Sequence, residues 1–212
     1  MIVPETVRLT AGAIVGAALT GALLLHDAPP SGRSQLRDRR LRWALAVAGC
    51  AAGAAGIEAS DRAGTWFVVP ALMIWACSLV AIAASDAVTQ RIPTRTVRSA
   101  GLATSVLLVV GLGLHQDWHG LLQSGVASAT SGMVLWLCWR FAGAGYGDVR
   151  LATLGGLGLG HATVHGGVIA SAVLCAIIAT QAIVTLTRGG NRTTTIPLGP
   201  ALAAGFLLAG AL

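Results

Sequence analysis

Two aspartates stand out in a chain of 212 residues with only eight acidic side chains. Asp86 opens the stretch Asp86-Ala87-Val88-Thr89-Gln90-Arg91-Ile92-Pro93, and Asp148 closes Gly145-Tyr146-Gly147-Asp148, 62 positions later. Two carboxyls that share one proton can hydrolyse a peptide bond. The ionised partner draws a proton from water, while the protonated one polarises the scissile carbonyl and then protonates the leaving amine. Taken singly, each residue also has a plainer reading: Asp148 fits a helix cap, and Asp86 fits a solvated helix end. The elements that carry them decide how the pair is read.

Those elements belong in lipid. Hydrophobic residues make up 55% of the chain and charged residues 10%, with a mean hydropathy of +0.75, whereas soluble domains carry about a quarter charged residues. The 28 glycines sit in long apolar runs that suit close helix packing in a bilayer. Charged or turn-forming borders mark eight apolar segments, at about 6–25, 43–57, 65–85, 99–114, 121–139, 148–160, 163–187 and 197–212. The expected fold is all-α, a polytopic helical membrane protein of about eight transmembrane segments in one domain, 1–212. Within it, 1–64 holds the first two spans and 65–212 the core with the aspartates. A span needs about 20 residues, so segments 43–57 and 148–160 must be tilted, extended by flanking residues or shielded by neighbours.

All 14 basic residues are arginines, dispersed between the apolar runs, so the net charge of +6 gives no nucleic-acid patch. They give an orientation. With the loop 26–42 inside, Arg33, Arg37, Arg39, Arg40, Arg42, Arg91, Arg95, Arg98, Arg140, Arg150, Arg188 and Arg192 are cytoplasmic, and only Arg8 and Arg62 are outside. Both termini are then expected outside. Asp86 ends the third segment and Asp148 begins the sixth, so both fall at one membrane face in either orientation, and at the cytoplasmic face under the arginine bias. Trp43, Trp66, Trp118 and Trp139 fall at segment ends, as interfacial aromatics do. No secretory signal peptide is expected, because Met1 to Glu5 lacks a basic start. Cys50, Cys77, Cys138 and Cys175 lie singly in apolar segments and suggest neither a disulfide framework nor a zinc knuckle.

The two acidic motifs resemble those of the prepilin peptidases, or type IV leader peptidases, intramembrane aspartyl proteases marked by Gly-x-Gly-Asp and by a first Asp before an Ile-Pro turn. Pro197-Leu198-Gly199-Pro200-Ala201-Leu202-Ala203 resembles the family's Pro-x-Gly-Pro element at the last span. The resemblance implies an aspartic endopeptidase of the cytoplasmic membrane, with Asp86 and Asp148 catalytic and no cofactor or metal. Its implied partners are the lipid bilayer and type IV prepilin or pseudopilin precursors, cut at the cytoplasmic face between a short basic leader and the following apolar helix.

Around the pair, Gly145 and Gly147 are expected to permit unusual backbone angles and close approach of an extended substrate. Tyr146, the single tyrosine, suits either a hydrogen bond near the dyad or a membrane-interface ring. Arg150 stands where the family usually has a basic residue, and suits a loop-orienting role, a lipid-phosphate contact or a positive-inside anchor. Ile92 and Pro93 form the turn after Asp86, and Pro197, Gly199 and Pro200 are expected to break the chain beside the site. Thr94 departs from the Asn or Asp of many relatives, a departure that weakens no catalytic assignment. The loop 26–42 contains no cysteine, so the zinc-binding region of the larger members is absent, and with it the ground for expecting their N-methyltransferase activity.

Three rival readings remain, one of them an inactive scaffold for pilus assembly, which the intact pair of aspartates disfavours. The literal Pro200-Ala201-Leu202 suits a presenilin or signal-peptide-peptidase relative, although Ser85 stands where those enzymes place Tyr. A proton-coupled transporter would also pair acids, near mid-membrane. His115 and His119 flank Asp117, with His161 and His165 at the next outer loop; their spacing could build a metal site, but solvated loop polarity is the stronger reading.

Overall fold

The computed structural model describes residues 5–27, 39–142, 145–187 and 198–212. Among them the chain is all-helical, without strands. The helices are α1 (Glu5–Asp27), α2 (Arg39–Arg62), α3 (Val69–Thr89), α4 (Thr94–Leu114), α5 (Trp118–Ala142), α6 (Tyr146–Leu157), α7 (Val164–Thr187) and α8 (Gly199–Ala211), with a short 3-10 turn, Trp66–Val68, before α3. Among the described residues, four stretches are long and apolar enough to cross a bilayer: Thr6–Leu23, Trp66–Thr89, Thr94–Leu114 and Trp118–Phe141.

The two short apolar segments resolve differently. Segment 43–57 is part of a longer helix, Arg39–Arg62, whose first turns carry arginines and whose last carries Glu58, Asp61 and Arg62. Polar flanks hid its true ends. Segment 148–160 is short as a helix too: α6 has 12 residues, about 18 Å at 1.5 Å per residue. Its neighbours shield it, for α3, α4, α5 and α8 all pack against it, and Leu151, Ala152 and Leu154 are buried.

α3 is the central helix. It packs against α1, α2, α4, α6 and α8, and its inner residues include fully buried Trp75, Leu79 and Ile82. The Trp75 indole N–H donates to the carbonyls of Leu154 and Gly155, at 3.1 Å each, pinning α6 to α3. Glycine makes room for this ring: a Cβ at Gly210 of α8 would lie 2.9 Å from it. α1 and α2 meet through glycine as well. A Cβ at Gly16 would stand 2.7 Å from the backbone of Gly53, so the two backbones touch where no side chain intervenes.

The helices have two distinct ends. At one, Arg8 pairs with Asp61 at 2.9 Å, Arg62 donates to the carbonyls of Gly210 and Ala211 that end α8, and His161 meets Asp117. At the other lie the last turn of α3 and the first turns of α4, α6 and α8. Both aspartates are there.

Candidate active site

Asp86 lies in the last turn of α3. Gln90 ends the helix in the left-handed conformation at φ 52, and its N–H closes on the Asp86 carbonyl oxygen at 2.8 Å, a helix stop more often made by glycine. Residues 91–93 carry the chain to Pro93, which has extended backbone (φ −71, ψ 109) and immediately precedes α4. The Asp86 side chain is only 6% exposed. Its Oδ2 accepts the backbone N–H of Gly199 at 2.9 Å, so the first turn of α8 presents its unpaired amide and positive dipole end to this carboxyl. A Cβ at position 199 would fall 2.7 Å from Oδ2 and 2.9 Å from the Asp86 Cβ. Only glycine fits. Pro200, in the first turn of α8, lacks an N–H where none is needed.

Asp148 is the third residue of α6 and 8% exposed. Its Oδ2 accepts the N–H of Gly145, the residue that caps the helix, at 3.1 Å. The cap reading and the buried-carboxyl reading therefore hold together. Each aspartate is seated at a helix N-terminus on a glycine amide, Asp86 at α8 and Asp148 at α6. They lie at the same end of two helices that pack together, Asp86 in the last turn of α3 and Asp148 in the first turn of α6.

The glycines of this motif serve close approach and not unusual backbone angles. Gly145 has φ −72 and ψ 140, and Gly147 is not among the residues of positive φ. A Cβ on Gly145 would lie 3.0 Å from Asp148 Oδ2, and one on Gly147 would lie 3.0 Å from the Cβ of Ile92. The Ile92 side chain thus fills the space over Gly147 and joins the turn after Asp86 to the helix start that carries Asp148.

Tyr146 is exposed and its ring sits edge-on to Trp139, with centroids 5.3 Å apart. Its other neighbour is Arg150, whose guanidinium carbon lies 4.8 Å from the ring centroid. Arg150 also donates to the Thr94 hydroxyl at 2.8 Å. Thr94, where many relatives have Asn or Asp, is therefore part of the framework. The signal was its place directly after Ile92-Pro93. Pro197 lies outside the described residues, as do Arg33, Arg37, Arg188 and Arg192.

At the opposite end, Asp117 accepts the Gly120 N–H at 2.9 Å and meets His161 Nε2 at 2.7 Å. The Gly120 amide first, and His161 with it, hold the Asp117 carboxyl below the usual carboxylate range. His119 is engaged with Gln123 at 3.0 Å. Among the described residues, no three His, Cys, Asp or Glu side chains come together as a metal site.

A family model described as the type IV leader peptidase family matches residues 73–180, the stretch that contains both aspartates. The chain belongs to that family. Its membership implies an aspartic protease of the prepilin-peptidase kind, set in a helical membrane protein. The family match covers α4, α5 and α6 in full and both aspartates, and ends before the α8 start that holds Asp86. Comparison with curated proteins and with solved structures gave no match.

Proposed function

We propose that this leader peptidase removes the short basic leader from type IV prepilin or pseudopilin precursors at the cytoplasmic membrane face, using Asp86 and Asp148 as its catalytic pair. The observation that carries the reading is the pair itself: two buried carboxyls from different helices, at the same end of the bundle, each seated on a glycine amide through Oδ2. Neither Oδ1 takes part in a hydrogen bond among the described residues, which leaves an oxygen on each side for water and substrate. One ionised and one protonated Asp then divide the work of general base and general acid. The pair titrates as a unit, so either residue can begin as the acid.

The same reading treats residues 1–212 as one membrane domain of about eight spans with both termini outside. The twelve-to-two arginine bias supports that orientation, and α2, α6, α7 and α8 complete the bundle that the four long apolar stretches begin. Acids at helix ends favour a protease over a proton-coupled transporter, whose acids belong near mid-membrane. A basic leader would approach a surface that carries Arg91, Arg95 and Arg98, so selection falls on the small residue before the cut and on the apolar helix beside it, with anionic lipid screening the repulsion.

Co-expression of a tagged prepilin with this chain, followed by mass spectrometry of the mature amino terminus, tests the reading. The expected product lacks the leader and carries an unmethylated amino terminus. An intact precursor contradicts the proposal.

A further inference from the structure

The geometry points to Arg150 as a positioning residue that, through its hydrogen bond to Thr94, fixes the helix of Asp148 against the turn that follows Asp86. The inference rests on the proposed peptidase activity of that pair.

α6 turns about 100° per residue, so Gly147 and Arg150, three apart, share one face, while Asp148 projects from another. The shared face meets the start of α4 at two points: Gly147 lies under Ile92, and Arg150 donates to Thr94 Oγ1 at 2.8 Å. Ile92 and Thr94 flank Pro93, whose ring fixes the backbone between them. The chain from Asp86 to Thr94 is one turn of helix plus a short extended connection. A clamp at Ile92 and Thr94 therefore limits how far Asp148 can stand from Asp86.

Arg150 is held on both sides. Tyr146, four residues earlier on the same helix, stacks beneath the guanidinium at 4.8 Å and itself leans on Trp139 at the end of α5. A guanidinium fixed by a hydroxyl and a ring loses little freedom on forming its bond. The contacts of the guanidinium are the Thr94 hydroxyl and the Tyr146 ring, and Asp148 is bonded instead by the Gly145 amide. Arg150 acts through the position of the helix, and its charge is not aimed at the reacting atoms. Thr94 becomes its designated acceptor, and a residue with a side-chain oxygen is what the position requires.

The test uses the purified full-length enzyme with a purified prepilin, and compares Arg150→Met, Arg150→Lys, Thr94→Val, Thr94→Ser and the Thr94→Val/Arg150→Met pair. Arg150→Met and Thr94→Val are each expected to lower kcat about tenfold or more, with KM within twofold. The double variant is expected to be no worse than the single ones, because both remove one bond. Thr94→Ser and Arg150→Lys, which keep an acceptor and a donor, restore at least half of the wild-type kcat. The pH–rate profile of Arg150→Met narrows, since carboxyls that drift apart couple less strongly. Turnover per folded molecule within twofold of wild type in Thr94→Val overturns the inference even if Arg150→Met fails to fold. So does a rise in KM alone, which would make Arg150 a substrate contact, or a loss that appears only in vesicles with anionic lipid, which would make it a phosphate contact. A wild-type enzyme that leaves prepilin intact overturns the proposed function and this inference with it.

Discussion

The amide of Gly199 donates to Oδ2 of Asp86 across 2.9 Å, joining residues 113 positions apart in the chain. The bond puts the first turn of α8 directly on a buried carboxyl. With the Gly145 amide on Asp148, it defines a repeated device: an acid held by the free amide of a helix start, with glycine required by space at position 199.

Gly199→Ala puts a methyl 2.7 Å from Asp86 Oδ2. The carboxyl must swing away, and a displacement near 1 Å at a reacting group costs about 100-fold in rate. We expect kcat to fall by about that factor with KM little changed, read from initial rates of leader release.

Gly147→Val crowds the Ile92 side chain, which already stands 3.0 Å from where a Cβ would be. Overpacking of this kind costs about 1–3 kcal/mol. The thermal midpoint and the turnover should both drop, and Ile92→Ala in the same chain should recover part of each, because it removes the branches that the new side chain meets.

Gly53→Val tests the bundle without touching the acids. Gly53 lies in backbone contact with Gly12 and Gly16, so a branched side chain forces α1 and α2 apart. Stability in detergent should fall by about 1–3 kcal/mol, while turnover per folded molecule stays near wild type.

The Asp117 carboxyl is held below its ordinary value of 3.8, first by the Gly120 amide and then by His161. A group depressed on folding stabilises the fold above its unfolded value and loses that contribution as pH falls through the folded one. Thermal unfolding followed from pH 7 down to about pH 3 should show an acid loss below roughly pH 4 that Asp117→Asn diminishes. Identical acid profiles for the two proteins would remove the role of this pair.

Much of this was legible in the sequence, for identifiable reasons. Acids are so few in an apolar chain that Asp86 and Asp148 announced themselves, and an even number of intervening spans put them at one face. The apolar runs gave the helices but not their limits: the borders of segment 43–57 marked where hydropathy fell, while α2 continues to Arg39 and Arg62 because a helix does not end where polarity begins. Of the two roles expected of Gly145 and Gly147, unusual backbone angles and close approach of a substrate, the angles are ordinary. The two glycines make room for Asp148 Oδ2 and Ile92, contacts that depend on how helices dock. Thr94 looked neutral because its partner, Arg150, is 56 residues away. Trp75 carried no local signal either, since the carbonyls it binds belong to α6.

The most direct test of the central claim is prepilin cleavage by purified Asp86→Asn, Asp148→Asn and the double variant, each shown to be folded. Residues that act as a unit are not additive, so each single variant should lose activity by about 10⁴-fold and the double variant should lose no more. A single variant that retains more than about a tenth of wild-type turnover would contradict the pair as the catalytic centre.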